Sequence, residues 1–312
     1  MVKIKKRDEK FPAYVPAYYR IFCKLRKVKR QAMVRLNEAK ARRCGPIDVL
    51  PDGVSAFTPL SEKSKINPKG AVNKSGLWSE EDLSSPEIKN IADKIEALKG
   101  ELKSKNLRYT SSTGTFVERL YTPRSERDKL WENAWVIRHS GVAPGQEVLD
   151  IGGASTAFVF YLASLGCRVK VIDNDWGCCG IIYNTNYVAR TMGWDLKAFD
   201  RDIAKPLPFP DASFDRVFSI CTLEHLSSSV RRRMMREVSR VLKPGGIAGL
   251  TFDYDPSRKV LTSDKGLRFG YRQKLFEEVI GPSGLSLVGN AELIDLYPEK
   301  NFVGAIFLEN SG

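Results

Sequence analysis

Hydrophobic positions change their spacing several times along the chain, and each change predicts a different element. Tyr18, Ile21, Phe22, Leu25, Val28, Ala32, Leu36 and Ala39 recur at steps of three or four. That is one face of a helix from about Ala17 to Arg43, which Gly45-Pro46 stops. From Gly45 to about Ser85 the pattern lapses into Pro, Gly, Ser, Lys and Asn, as expected of an extended linker draped over a surface. Ile88, Ile91, Ile95, Leu98 and Leu102 then mark a second helix. Ser85 is placed as its N-cap, Pro86 at its first position and Glu87 in its first turn. The spacing is an a/d seam of just over two heptads, too short for an independent coiled coil. It is expected to pack on another helix of this chain, or on a second copy through self-association.

After Gly141 the period shifts again. Glu147–Ile151, Arg168–Ile172, Phe214–Ile220 and Ile247–Phe252 read as buried strands, with Leu285–Val288 and Phe302–Leu308 as a closing pair. Helices are expected between them over Ser155–Leu165, Cys178–Met192, Ser228–Leu242 and Arg272–Ile280. Strands alternating with helices imply parallel βαβ units, and the last two strands, lacking a helix between them, should form an antiparallel hairpin. The fold class expected is α/β: a doubly wound, Rossmann-like seven-stranded sheet, mostly parallel with an antiparallel final hairpin, plus an N-terminal helical extension. The expected division is residues 1–45, a basic amphipathic helical arm; 46–110, linker and heptad-patterned helix; and 111–312, the α/β domain.

Charge sharpens this division. The net charge is +13, but residues 1–45 hold 15 Lys/Arg against Asp8, Glu9 and Glu38, leaving the remainder nearly neutral. Three readings of the arm compete: packing on the body by its apolar face, lying on an anionic membrane surface, or contacting RNA phosphates. Apolar residues make up 42% and charged residues 28%, which excludes collagen-like and wholly disordered classes. No apolar run approaches the roughly 20 residues of a membrane span. Met1 to Lys10 is basic without the apolar core of a secretory signal. Six cysteines without a C-x-x-C pair and only two histidines give no metal-ligand spacing, so no metal is expected. These features predict a cytoplasmic protein with reduced thiols, free or peripheral at a membrane.

Sheets of this kind bind ligands at the carboxyl ends of their strands, where the strand order reverses. The turn Asp150-Ile-Gly-Gly-Ala-Ser lies there. A carboxylate before the glycines is awkward for a pyrophosphate but suits a ligand bearing an ammonium group. Asp173, ending the next strand, is placed to accept both hydroxyls of a ribose. The glycine turn and Asp173 are by themselves compatible with a nicotinamide dehydrogenase. Five ordered motifs argue otherwise: Val148-Leu-Asp-Ile-Gly-Gly153, Val171-Ile-Asp173, Asp202 with Leu207-Pro-Phe-Pro-Asp-Ala-Ser-Phe-Asp215, Leu223-Glu-His-Leu226, and Arg240-Val-Leu-Lys-Pro-Gly-Gly246. Together they closely resemble the class I S-adenosylmethionine-dependent methyltransferases, in the branch that includes the ubiquinone-biosynthesis type. The likeness covers about residues 120–310. It implies S-adenosyl-L-methionine as cofactor, with Asp150, Gly152 and Gly153 lining its methionine part. It further implies Asp173 at the ribose, Asn174 beside the adenine, Asp202 and Ile203 at the adenine amino group, and Ile220 and Cys221 near the methionine moiety. One departure is visible: Ala154 stands where the family pattern has its second glycine.

Methyl transfer from a sulfonium needs mainly in-line positioning and exclusion of water. A general base matters only when the acceptor must lose a proton. His225 and Glu224, just past the Phe214–Ile220 strand, are the expected catalytic residues, with the Asp253-Tyr254-Asp255 cluster on the same rim. Arg231-Arg232-Arg233 with Arg236 is expected to be a solvated helix face, or a surface for an acidic acceptor. Trp131 and Trp135 are expected in the core or over the cofactor pocket, and Arg108–Arg127 as a lid. The activity expected is methyl transfer to a metabolite, lipid, quinone or saccharide. The alternatives are an RNA methyltransferase using the basic arm and a catalytically silent cofactor-binding module within a complex.

Overall fold

A computed structural model of the chain describes residues 16–18, 21, 73–75, 85–110, 123–174, 180–254, 275–289, 294–295 and 302–312. In chain order its elements are β1 (Lys74–Ser75), α1 (Pro86–Ser104), α2 (Pro123–Ser140), β2 (Glu147–Ile151), α3 (Ala157–Ser164), β3 (Arg168–Asp173), α4 (Ile181–Met192), β4 (Leu196–Asp200), β5 (Phe214–Ile220), α5 (Ser228–Val241) and β6 (Leu242–Tyr254), followed by three further strands. These are β7 (Ser286–Leu287), β8 (Ile294–Asp295) and β9 (Phe302–Glu309).

The strands form one sheet in the order β4-β3-β2-β5-β6-β9-β1-β8, with β7 also paired to β9. Strands β2 to β6 pair in parallel. β9 runs antiparallel to both β6 and β7, giving the final edge that the missing connecting helix implied. The two-residue strands β1 and β8 prolong that edge. The pattern does not announce β4: its burial alternates only over Leu196-Lys-Ala, and Lys197 interrupts the apolar run. Pairing with β3, from Val169↔Leu196 to Asp173↔Asp200, makes it a strand.

Successive strand residues feed opposite faces. Val148, Val169, Val171, Phe218, Ala305 and Phe307 enter a core with α1 to α4. Leu149, Ile151, Ile172, Val217, Leu250, Phe252, Ile306 and Leu308 enter a second core with α5. Burial on both faces is why these strands read as continuous apolar runs. The order of β2, β3 and β4 runs one way and β5 and β6 the other, so the sheet reverses between β2 and β5.

The heptad helix forms as read. The Ser85 side chain accepts a hydrogen bond from the Ile88 N–H at 3.4 Å, and Pro86 begins the helix. Ile88, Ala92, Ile95, Leu98 and Leu102 are buried in the core shared with α2 and α3. Of the two expectations for the seam, packing on other helices of this chain is the one the structure shows. The expected helix over Arg272–Ile280 is, in its described part, a π-helical turn at Phe276–Ile280 that runs into Gly281–Ser283.

Tyr18 and Ile21, two residues of the arm's apolar stripe, are exposed, so packing of the stripe on the body is not met at these positions. The rest of the arm lies outside the described residues, as do most of the linker, the centre of the expected lid, Cys178-Cys179 and Asp255. Among the described residues, no helix is long and apolar enough to cross a membrane.

Candidate functional site

The motifs divide between two jobs. Two of them hold the sheet together at the end away from the glycine turn. Arg240 donates to the Leu207 and Phe209 carbonyls at 3.1 and 2.8 Å and pairs with Asp211 and Glu237. Lys243 meets Asp215 at 2.9 Å, and the other oxygen of Asp215 accepts from the Glu147 N–H. These residues carry the family likeness but lie in the scaffold.

The remaining motifs converge at the β2–β5 reversal. β2 delivers Asp150, which is fully buried; its Oδ1 accepts the Gly153 N–H at 2.7 Å. Its Oδ2 is buried with no hydrogen-bond partner among the described residues. Burial, helped by the nearby Asp173 charge and opposed by the Gly153 bond, pushes the Asp150 carboxyl up to about 8. Gly152 has φ +94°, and a Cβ there would collide with Thr222. A Cβ on Gly153 would collide with the Asp150 carboxyl itself. Ser155, at φ +69°, is the other left-handed residue of the turn, whereas Ala154 is not left-handed. An alanine is therefore tolerated at the departure from the family pattern.

Asp173 ends β3 beside this turn. Its Oδ2 accepts the Ala154 N–H at 3.2 Å and its Oδ1 the Asn174 N–H at 2.7 Å, so the expected ribose carboxylate also braces the glycine turn. Asp202 is exposed just beyond β4 and caps its own turn through the Ala204 N–H, while Ile203 is half-buried. Ile220 and Cys221 are half-buried at the end of β5, where Cys221 takes a left-handed φ of +47°. Asp150, Gly152, Gly153, Asp173, Asn174, Ile220 and Cys221 thus share one rim of the sheet, with Asp202 and Ile203 at its outer end.

A ligand with an ammonium group fits this rim. Asp150 offers a buried acceptor atom that lacks a donor, and the turn leaves no room for side chains at its two glycines. A pyrophosphate would bring acceptor oxygens and no donor to this atom.

On the other side of Cys221 lies a polar cluster. Glu132 of α2 is fully buried, and both its oxygens receive Lys129, at 2.8 and 2.9 Å. One of these oxygens also receives the Thr251 hydroxyl and the Cys221 thiol, each at 3.0 Å. The Cys221 N–H in turn donates to the Thr251 Oγ1 at 3.1 Å. Burial opposes charge on Lys129, but Cys221 and Glu132 hold it well above the ordinary lysine range. Burial and the Glu132 charge push the Cys221 thiol well above its ordinary value, so it stays protonated.

Of the expected catalytic pair, Glu224 is buried and His225 exposed. Glu224 Oε1 accepts the Asp253 N–H at 3.1 Å, and its Oε2 is buried without a partner among the described residues. Burial, and then the Asp253 charge, push the Glu224 carboxyl up to about 8. Burial, reinforced by Lys129, lowers the His225 pKa.

Arg231 is buried, contrary to the expectation of a solvated face or an acceptor surface. It pairs with Glu278 and donates to the Leu223 and Leu226 carbonyls, which bracket Glu224-His225. Arg232, Arg233 and Arg236 are exposed, as expected. Trp131 and Trp135 stack at 4.9 Å within the core.

Sequence reasoning missed Lys129, Glu132 and Thr251. One signal was present: Glu132 shares a helical face with Trp135 and Val136, and a carboxylate on an apolar face needs a buried partner.

Residues 149–250 match the family described as a methyltransferase domain. The chain is 32% identical over 120 residues to the demethylmenaquinone methyltransferase of Tropheryma whipplei, covering 38% of this chain and 46% of that protein. It is 33% identical over 119 residues to the ubiquinone/menaquinone biosynthesis C-methyltransferase UbiE of Hahella chejuensis, covering 38% and 47%. To the sterol 24-C-methyltransferase of Eremothecium gossypii it is 28% identical over 189 residues, covering 57% and 49%. The chain spans about half the length of these relatives.

Proposed function

We propose that this chain, which carries a class I S-adenosylmethionine-dependent methyltransferase domain of the ubiquinone-biosynthesis-like type, is an enzyme that transfers a methyl group to a small or medium-sized acceptor. The observation that carries this reading is Asp150: a fully buried carboxyl at the sheet's reversal point, with one oxygen lacking a donor. Asp150, Gly152 and Gly153 would hold the methionine part of the cofactor and Asp173 the ribose hydroxyls. Asn174, Asp202 and Ile203 would face the adenine, and Ile220 and Cys221 the methionine chain. When bound, S-adenosyl-L-methionine supplies a methyl carbon already activated by positive sulfur.

The chain's own work is to orient and to exclude water. Glu132 and Thr251 fix the Cys221 peptide, and Arg231 fixes the turn carrying Glu224 and His225. Glu224 and His225 are the groups within this rim able to take a proton from an acceptor. The relatives' names supply quinone and sterol acceptors as models for a lipid-like substrate. RNA remains a second reading, favoured by the 15 basic residues of the arm. The same arm suits peripheral attachment to an anionic membrane from the cytoplasm.

Calorimetry tests the reading directly. The protein is expected to bind S-adenosyl-L-methionine and S-adenosylhomocysteine but not NAD. Binding of NAD alone would reverse the assignment.

A further inference from the structure

The short segment after α1 is bonded to the glycine turn, although it lies outside the matched family region at residues 149–250. α1 ends in a Schellman turn: Asn106 is left-handed at φ +56°, and the Leu107 N–H donates back to the Leu102 carbonyl at 2.8 Å. Leu107 is buried in the same core as Leu102, which fixes the direction in which residues 108–110 leave the helix. Thr110 then meets the turn. Its N–H donates to the Ser155 carbonyl at 2.7 Å, and its hydroxyl to the Ala154 carbonyl at 3.4 Å. Asn184 of α4 joins segment and turn. It is fully buried, and its side-chain amide donates to the Arg108 carbonyl at 2.7 Å and to the Ser155 Oγ.

These bonds run on to the rim. Ala154 is held at both ends of its backbone, its N–H by Asp173 Oδ2 and its carbonyl by the Thr110 hydroxyl. Ser155 carries a left-handed φ of +69°, which a residue other than glycine keeps only where its surroundings hold it. Here the Thr110 N–H holds its carbonyl and the Asn184 amide its Oγ.

We propose that Asn184 and Thr110 are positioning residues for the cofactor: they lock Ala154 and Ser155, so that the Ala154 N–H keeps the Asp173 carboxylate aimed at the ribose. This rests on the assignment of Asp173 to the ribose of S-adenosyl-L-methionine. Each residue acts through the turn. By reciprocity, a ligand on Asp173 tightens the bonds between residues 108–110 and the turn. α1 and the segment behind it thereby support the cofactor site.

The test uses the full chain and S-adenosylhomocysteine. Wild type, Asn184→Ala, Asp173→Ala and the double variant are titrated calorimetrically, with circular dichroism reporting that each is folded. Asn184→Ala is expected to bind about tenfold more weakly, the scale of one or two buried hydrogen bonds. In the Asp173→Ala background the same change should cost less than about twofold, because the loss passes through Asp173. Thr110→Val should weaken binding about threefold and Thr110→Ser restore it, a pair that carries the test if Asn184→Ala does not fold. In the wild type, exchange of the Thr110 amide hydrogen should slow when S-adenosylhomocysteine is bound. A purely structural role would lower the melting temperature and move none of these readings. Wild-type affinity in folded Asn184→Ala or Thr110→Val, losses that multiply in the double variant, or Thr110 exchange indifferent to ligand would each overturn the proposal. Normal binding by Asp173→Ala would instead bring down the ribose assignment, and the proposal with it. A wild-type protein that does not bind S-adenosylhomocysteine would bring down the methyltransferase reading beneath both.

Discussion

Asp150 and Asp173 sit on neighbouring strands and differ in how their oxygens are bonded. Asp150 is protonated near neutral pH because burial raises it to about 8. A ligand ammonium favours its ionised form, so binding below that pH must release a proton. Affinity for S-adenosylhomocysteine is therefore expected to rise with pH, by at most about tenfold per unit, and to level off above about 8. Asp150→Asn should flatten that profile, which calorimetry at several pH values would reveal. An equal slope in the variant would assign the dependence elsewhere. Asp173 instead faces the rim with both oxygens already braced by backbone N–H groups. If Asp173 receives a ribose as proposed, with contacts each worth roughly 1.5–3 kcal/mol, Asp173→Ala should weaken cofactor binding at least tenfold. An unchanged dissociation constant would remove Asp173 from the site.

At the scale of elements, α5 and the π-helical turn at Phe276–Ile280 are joined by the buried Arg231–Glu278 pair. Ser228 adds a bond to the other oxygen of Glu278 at 2.8 Å. Arg231 also reaches the carbonyls on either side of Glu224-His225, so one guanidinium links scaffold and rim. Arg231→Ala leaves Glu278 buried without its cation and should cost about 3–5 kcal/mol in urea unfolding. Replacing Arg231 and Glu278 together by apolar residues should recover much of that stability but not the turn, so turnover should stay low. Recovery of both would show that the turn holds itself. The α1 seam is legible in sequence because spacing and cap act locally. The Arg231 partnership is not, since Glu278 lies 47 residues away on an element whose irregular turn has no sequence period.

The whole molecule is tuned by the same buried carboxyls. Asp150 and Glu224 hold protons in the folded chain up to about pH 8, whereas the unfolded chain releases them near their ordinary values of 3.8 and 4.5. The folded state binds more protons across that interval, so stability of the ligand-free protein should fall as pH rises from about 5 to about 8. Melting temperatures across this range should decline, and the Asp150→Asn/Glu224→Gln double variant should show a shallower decline. A flat wild-type profile would contradict both raised values. The arm is a separate matter. Deleting residues 1–45 removes a net +12 and should leave S-adenosylhomocysteine affinity unchanged. Retention on RNA, or sedimentation with anionic vesicles, should be lost with it if the arm carries that attachment, and should fall with salt in the intact protein.

Local chemistry determined much in advance. Strand burial on both faces, the Ser85-Pro86 cap and the missing helix before β9 are each set by neighbouring residues, so the α/β order and its antiparallel edge could be read directly. The glycine turn and its two carboxylates were legible for the same reason. Tertiary structure alone decided which charges are buried. Lys129 and Glu132 meet Cys221 and Thr251 across about 90 to 120 residues of chain, and no period links them. It also gave Arg240 and Lys243 to the scaffold, closed the seam within one chain, and turned Glu224 inward and His225 outward. Burial and pairing are properties of the packed sheet: neighbours in space, contributed by distant strands, set the energy of a charge.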